Sequence, residues 1–382
     1  MALLELLRQI DNREYELYLY VLMGQGEMIG QVPSHVRLLN SDYSNMSVLT
    51  AKGRRRMART VLLSFCHNGD LFGKLYSAAC SLASMAKNRD FQMSKLFWRV
   101  LSEGAKRHGL SFDLAVAWLE GGSAYYVAEH VDARRKAAFI HTDYGKSGYT
   151  REMDRACWRQ YERVFAVSGE VKTQFQTFYP EYAEKVEVFY NIINQSRIRR
   201  LAGEQGGFSD DYPGIRLLTV GRLTYQKGYD IAVQALEVLK ASGYHVRWYV
   251  LGEGDWRRVL EKRIESMKLK EDFLLLGAVE NPYPYFAQAD IYVHATRVEG
   301  RSVAIQEAQT LGCAVIASDC SGNREQIIDG SDGILCALEP YRLADCIKGL
   351  IDDKEKREQL GKNAGLKEAP KGQAEKLFQL LA

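Results

Sequence analysis

Two glutamates eight positions apart, Glu299 and Glu307, carry the most chemical content in this 382-residue chain. They lie in the run Arg297-Val298-Glu299-Gly300-Arg301-Ser302-Val303-Ala304-Ile305-Gln306-Glu307-Ala308. The apolar triplet Ile291, Tyr292 and Val293 just before it reads as a buried parallel strand. Val303, Ile305, Ala308 and Leu311 then recur at roughly helical spacing until Gly312 stops the pattern. Glu299 therefore falls in the turn after a strand, and Glu307 about two turns into a helix. Gly300, Arg301 and Ser302 would offer free backbone N–H groups at the helix start, a place suited to an anion. A carboxylate, an anion-binding helix start and a second carboxylate together suggest a nucleotide-sugar site. An ordinary βα turn with two solvated glutamates fits the same stretch.

Two cations stand in a similar position upstream. The strand 215–220 ends in Gly221-Arg222-Leu223, and Lys227-Gly228 opens the next helix. Arg222 and Lys227 can both point back at the strand end and neutralise a diphosphate, whose negative charge grows as it leaves. Two surface cations are the alternative. Leu251-Gly252-Glu253-Gly254-Asp255 follows the next strand and resembles a dinucleotide fingerprint only superficially, because the third glycine is missing. Gly145-Lys146-Ser147 looks like the end of a phosphate-binding loop, but Ile140 stands where its first glycine should be. Asp-x-Asp never occurs and no His/Glu metal spacing is present. The simpler reading has no metal, with cationic side chains in its place.

These residues need strand ends to hold them. In the second half strands are expected at 215–220, 247–251, 273–276, 291–293, 314–317 and 333–335, with helices between. In the first half a helix over 1–10 and strands at 15–23 and 36–39 precede a helical stretch, 52–108. Strands at 113–119, 137–140, 163–167 and 186–190 come next, with a helix around 151–161 and another capped by Ser168. The polar, glycine-rich stretch 196–214 reads as a linker. That gives a first domain over 1–195 and a second over 215–382, whose last helix is expected to pack back on the first. Two successive α/β halves point to doubly wound parallel sheets facing one cleft, with ligand at the carboxyl ends of the strands.

Composition bounds the rest. Hydrophobic residues at 46% and charged residues at 26% describe an ordinary soluble globular chain. No apolar run is long enough to span a bilayer, and the N-terminus lacks a signal-peptide pattern. Seven scattered cysteines without a C-x-x-C pair favour reduced thiols in a cytoplasm. The net charge of +3 is uneven: residues 1–200 hold 28 Lys and Arg against 21 Asp and Glu, the remainder 23 against 27. The stretch 52–108 concentrates Lys52, Arg54, Arg55, Arg56, Arg59, Lys87, Arg89, Lys95, Arg99, Lys106 and Arg107. Apolar residues including Leu62, Leu63, Phe65, Leu71, Phe72, Leu96, Phe97 and Trp98 are interleaved. Such a stretch suits peripheral contact with an anionic membrane. It equally suits helices whose apolar face packs inward and whose basic face is wet.

The order Gly221-Arg222-Leu223, Lys227-Gly228, Gly252, and Glu299 with Glu307 resembles the retaining glycosyltransferases of family 4, which have the GT-B fold. Ala289-Asp290-Ile291-Tyr292-Val293 and Ala314-Val315-Ile316-Ala317-Ser318-Asp319 extend the likeness. So do Glu120-Gly121, Ile140-His141-Thr142-Asp143 and Phe165-Ala166-Val167-Ser168, which look like the branch that builds capsules and other surface polysaccharides. The resemblance covers nearly the whole chain and is looser between 40 and 110.

It implies transfer of a sugar from a nucleoside diphosphate, with retention, to a lipid-linked or polysaccharide acceptor, at the inner face of the cell membrane. Nucleic acid is not among the implied partners. Gly221, Arg222 and Lys227 would hold the diphosphate, with Gly252 on the same wall, and Glu307 would contact the ribose. Glu299 with the backbone of Ser302 and Val303 would meet the donor sugar and phosphates, and the backbone near Val279 the base. His141 matches the family's histidine that reaches the sugar. Ser302 replaces the family's usual glycine. Family members also begin with a strand and a glycine-rich loop ahead of the first helix. Their absence here would leave two neighbouring strands without a partner, and is expected to mean that the physiological protein starts upstream. A nucleotide-sugar epimerase and a non-catalytic, sugar-nucleotide-binding subunit are the competing readings.

Overall fold

The computed structural model describes every residue except 1, 12, 49, 68–70, 89–92, 155 and 382, and leaves the side chains of 77, 87, 88, 93, 94, 96 and 146 undescribed. The first residue of the helix expected over 1–10 and Arg89, together with the side chains of Lys87, Leu96 and Lys146, lie outside the described residues. The chain divides into two compact units, one running to Ile192 and regaining the tail from Lys371, the other Ile193–Pro370.

In chain order the first unit contains α1 (Ala2–Gln9), β1 (Leu17–Leu19), β2 (Val36–Leu38), α2 (Ala51–Cys66), α3 (Leu71–Asn88), α4 (Met93–Gly104), β3 (Ser111–Ala117), α5 (Gly122–His130), β4 (Asp132–Ile140), α6 (Arg151–Asp154), β5 (Arg163–Ala166), α7 (Gly169–Phe178) and β6 (Val186–Val188). The second contains α8 (Gln195–Ala202), β7 (Ile215–Val220), α9 (Tyr229–Ala241), β8 (Val246–Leu251), α10 (Arg257–Ser266), β9 (Phe273–Gly277), α11 (Tyr283–Gln288), β10 (Ile291–His294), α12 (Val303–Thr310), β11 (Ala314–Ser318), α13 (Ser321–Arg324), β12 (Ile334–Cys336), α14 (Pro340–Asp352) and α15 (Lys354–Gly365). α16 (Glu375–Phe378) lies in the tail.

The second unit is one six-stranded parallel sheet in the order β12-β11-β10-β7-β8-β9. Successive residues alternate between two apolar layers. Leu217, Trp248, Val250, Ile291 and Val293 face one layer, while Leu218, Tyr249, Leu251 and Tyr292 face the other. Burial on both faces is why these strands read as unbroken apolar runs. The chain builds outward from β7 through β8 to β9, then returns to β10 on the other side of β7. That reversal opens a crevice at the carboxyl ends of β7 and β10.

In the first unit β3-β4-β5-β6 form a parallel sheet, and β1 and β2 form a separate parallel pair. Among the described residues β1 pairs only with β2 and β3 only with β4. The strand expected over 15–23 shrinks to Leu17–Leu19. The helix expected over 151–161 breaks, because Ala156 adopts a left-handed φ of 59° and a 3-10 turn (Cys157–Gln160) replaces the rest. The break places the fully buried Asp154 carboxylate among four donors: the hydroxyls of Tyr125, Tyr144 and Tyr179 and the indole N–H of Trp158. Ser168 caps α7 as expected, its Oγ accepting from Val171 N–H at 3.1 Å.

The stretch 196–214 differs from its expected role as a linker. Its first turns are α8, capped by Asn194, with Ile198 and Leu201 packed into the second unit. Asp210 then ties the remainder down by accepting from Arg247 Nη1 at 2.7 Å and Tyr249 OH at 2.6 Å. The linker reading rests on Gly203, Gly206, Gly207, Asp210, Asp211 and Pro213, which all follow α8.

The basic stretch is helical as expected, but one helix is turned around. α3 buries Lys74, Ser81 and Ser84 and leaves Leu71, Phe72, Leu75 and Leu82 exposed. Of the large apolar residues of α3 only Met85 packs inward, so inward packing of an apolar face does not describe most of this helix.

Candidate functional site

The centre of the second unit's site is Glu299. Its Oε2 accepts from Lys227 Nζ at 2.5 Å and from His294 Nε2 at 3.0 Å. His294 ends β10, is buried, and its Nδ1 lies 3.1 Å from Tyr292 OH. A neutral imidazole satisfies both contacts, with Nε2–H donating to Glu299 and Nδ1 accepting from the tyrosine. Burial pushes the His294 pKa down, and the Lys227 charge adds to this. Burial alone would raise the Glu299 pKa, but the His294 hydrogen bond and the Lys227 charge outweigh it and hold the carboxyl down at about 2.

Backbone geometry fixes Lys227 against Glu299. Arg297 forms a two-pronged pair with Asp230 at 3.0 and 2.8 Å, and Gln226 Nε2 donates to Val298 O at 2.8 Å. These contacts tie the segment after β7 to the turn after β10. Gly228 makes the approach possible: its φ is +62°, and a Cβ there would lie 2.0 Å from Ala295 O. Gly252 does the same between β7 and β8, where a Cβ would lie 2.0 Å from Gly221 O. Gly221 is held in turn by Tyr229 OH, which donates to its carbonyl at 2.8 Å. Arg222 is exposed and has no side-chain partner among the described residues.

Helix α12 begins at Val303 with Ser302 as its cap, the Oγ accepting from Ile305 N–H. The expectation that Ser302 offers a free N–H is corrected here. That N–H donates to Gln326 Oε1 at 2.8 Å, and Gln326 Nε2 returns a bond to Ser302 O at 3.0 Å. Glu307 is buried in α12 and accepts from Tyr283 OH at 3.0 Å. Val279 follows β9, half-buried against the apolar layer that includes Leu251 and Tyr283. The residues expected to meet a donor thus lie in the segments that follow β7, β8, β9 and β10.

His141 ends β4 in the first unit. Its backbone N–H donates to Glu120 Oε2 at 3.0 Å, and Thr142 Oγ1 donates to Glu120 Oε1 at 2.7 Å. Its Nε2 lies 2.9 Å from Trp118 O, which places the ring proton on Nε2 and leaves Nδ1 as an acceptor. Desolvation holds its pKa below the usual imidazole value, against the opposing Glu120 charge.

Sequence reasoning missed His294, Tyr283 and Gln326. His294 carried a signal, being the one polar residue at the end of an otherwise apolar strand. Tyr283 and Gln326 meet Glu307 and Ser302 only through the fold.

Residues 211–367, which make up most of the second unit, match the family model "Glycosyl transferases group 1". The chain is 32% identical over 157 residues to the N-acetylgalactosamine-N,N'-diacetylbacillosaminyl-diphospho-undecaprenol 4-alpha-N-acetylgalactosaminyltransferase of Campylobacter jejuni, covering 41% of each. It is 22% identical over 347 residues to that organism's GalNAc-alpha-(1->4)-GalNAc-alpha-(1->3)-diNAcBac-PP-undecaprenol alpha-1,4-N-acetyl-D-galactosaminyltransferase, covering 86% of this chain and 91% of the relative. For the first three curated relatives, the match spans only 40 to 41% of their own length. Among solved structures, Anabaena Alr3699/HepE in complex with UDP and glucose superposes with a TM-score of 0.62 at 17% identity, covering 95% of this chain and 89% of that one. The fold is α/β with parallel sheets, of the GT-B type.

Proposed function

We propose that this chain transfers a sugar from a nucleoside diphosphate to a lipid-linked or polysaccharide acceptor, with retention at the anomeric carbon. The observation that carries the reading is the Lys227–Glu299–His294 cluster beside the unpartnered Arg222. It lies at the switch point of a sheet inside the matched glycosyl transferases group 1 stretch. Arg222 and Lys227 stabilise the diphosphate as it departs, in the role a divalent metal would otherwise fill. Glu299 Oε2 is held from two sides, so Oε1 is the oxygen that meets a hydroxyl of the donor sugar. Glu307, steadied by Tyr283, takes the ribose hydroxyls. Val303 supplies a helix-start N–H, and Val279 lies toward the base. His141 is assigned to the sugar by the resemblance, with Nδ1 as its open atom. The relatives' undecaprenyl-diphosphate acceptors and bound UDP make a UDP-sugar and a polyprenyl-diphosphate glycan the first pair to test. Such an acceptor brings the protein to the cytoplasmic face of a membrane as a peripheral partner.

The test offers UDP-, GDP- and ADP-sugars with a lipid-linked acceptor fraction, in the presence and absence of EDTA. Lys227→Ala is expected to lower kcat by about a hundredfold or more, and Glu307→Ala to raise the donor KM. EDTA is expected to change nothing, and the product should keep the donor's anomeric configuration by NMR. Turnover indifferent to both substitutions would refute the site.

A further inference from the structure

Helix α3 is built inside out. Its inward side carries Lys74, 1% exposed, with Ser81 and Ser84 beside the buried Met85, and packs on α4 and α6. Lys74 Nζ donates to the carbonyls of Ser64 at 2.7 Å, Phe65 and His67, closing the C-terminus of α2. Ser84 Oγ donates to Thr150 Oγ1 at 2.8 Å. Those bonds hold the polar side inward. The outward side is apolar: Phe72 is 86% exposed, Leu75 51%, Leu71 48% and Leu82 41%. Residues 71–86 contain no charge except the buried Lys74. An apolar face this continuous marks an interaction surface.

The charge on α2, the helix that precedes α3 and touches it, selects the occupant. Lys52, Arg55, Arg59 and Leu62 lie three to four residues apart on α2 and are all exposed, so one stripe runs from cations to an apolar end. Leu62, 65% exposed, lies in the last two turns of α2, the helix that precedes α3. Neither α2 nor α3 contains an acidic residue. A second copy meeting this face would bring like charges together, whereas an anionic lipid surface pairs with them. α3 has 18 residues, and no described helix is long and apolar enough to cross a membrane. A helix of this kind lies in the interface plane.

We propose that α3 is the element that seats this protein on an anionic bilayer. Phe72, Leu71, Leu75 and Leu82 enter the interface, and Lys52, Arg55 and Arg59 lie on the headgroups. This deepens the peripheral association proposed above and assigns it to a defined face. It does not depend on sugar transfer.

The full chain is floated with vesicles of phosphatidylcholine, alone or with phosphatidylglycerol, without donor or acceptor. Binding is expected only with phosphatidylglycerol. Arg55→Gln/Arg59→Gln should weaken it by roughly thirtyfold at low salt, and Phe72→Ser/Leu75→Ser should abolish the fraction that survives high salt. Circular dichroism and Tm should hold in both, since every altered side chain is exposed. Emission of a Phe72→Trp variant, corrected for the native tryptophans, should move to the blue on vesicles. The proposal is overturned if the wild type stays off anionic vesicles, or if Phe72→Ser/Leu75→Ser floats like the wild type. A concentration-dependent dimer lost in that variant would also overturn it, by making a second copy the occupant. Turnover on a detergent-soluble acceptor is measured in parallel. Intact turnover with no flotation separates a failure here from a failure of the transferase reading.

Discussion

Lys227 cannot serve a diphosphate at full strength while Glu299 holds it. The two side chains are 19% and 15% exposed, so their pair is neither a screened surface bridge nor a fully buried one. Freeing the lysine should favour anion binding even as it damages transfer. For Glu299→Gln, UDP is therefore expected to bind up to about fivefold tighter by calorimetry, while sugar transfer falls. Weaker UDP binding in that variant would show that the carboxylate organises Lys227 rather than competing for it. The same carboxylate sets an acid limit. Its pKa is lowered from 4.5 unfolded to about 2 folded, so the stability it lends is complete above pH 4.5 and is lost as pH falls toward 2. The shift corresponds to about 3 kcal/mol. His294 acts in the same direction, since a lowered imidazole pKa makes the unfolded chain the better proton binder below pH 6.5. Urea midpoints measured from pH 7 to 3 should fall more steeply for the wild type than for Glu299→Gln, and parallel curves would contradict the linkage.

At the scale of elements, the site depends on turns that tolerate no side chain. Gly252→Ala would set a Cβ 2.0 Å from Gly221 O at a φ of +148°, where the nearest atoms are backbone and cannot step aside. Strain of about 1–3 kcal/mol is expected, read as a lower Tm together with weaker UDP binding, because Gly221 and Arg222 shift with the displaced loop. A Tm loss with UDP affinity unchanged would detach this glycine from the site. These turns were legible in the sequence because glycines follow apolar runs buried on both faces, as at Val250-Leu251-Gly252. Elements whose form is set by tertiary partners were less legible. Nothing local marks Ala156 as left-handed; the gathering of Tyr125, Tyr144, Tyr179 and Trp158 around Asp154 accompanies that break. The inversion of α3 was hidden for a similar reason, since Lys74 is drawn inward by the carbonyls closing α2 and not by its own helix pattern. Ser302 looked like an open donor because Gln326, its partner, lies twenty-four residues away.

At the scale of the whole chain, its beginning and its end share one core. Leu6 of α1 packs with Ala374, Leu377 and Leu380 against Phe139, Phe165 and Phe189, under the first unit's sheet. Gln373 Oε1 accepts from Tyr190 N–H at 2.9 Å, Lys376 Nζ donates to Val188 O at 2.5 Å, and Phe378 stacks on Tyr15 at 4.8 Å. The tail thus completes a unit whose other residues all precede Ile193, although it follows the second unit in sequence. Its two buried leucines alone represent about 3–6 kcal/mol of apolar burial, a large share of a domain's net stability. A chain stopped at Pro370 should accordingly lose the first unit and keep the second. Limited proteolysis read by mass spectrometry should show new cuts before Ile192, while the stretch 193–370 stays resistant and UDP still binds. Leu377→Ala/Leu380→Ala in the full chain should show the same pattern more weakly, at about 2–5 kcal/mol for each residue, with the hydrogen bonds of Gln373 and Lys376 left in place. Loss of UDP binding in step with first-unit cleavage would mean that the two units unfold together and that the tail supports both.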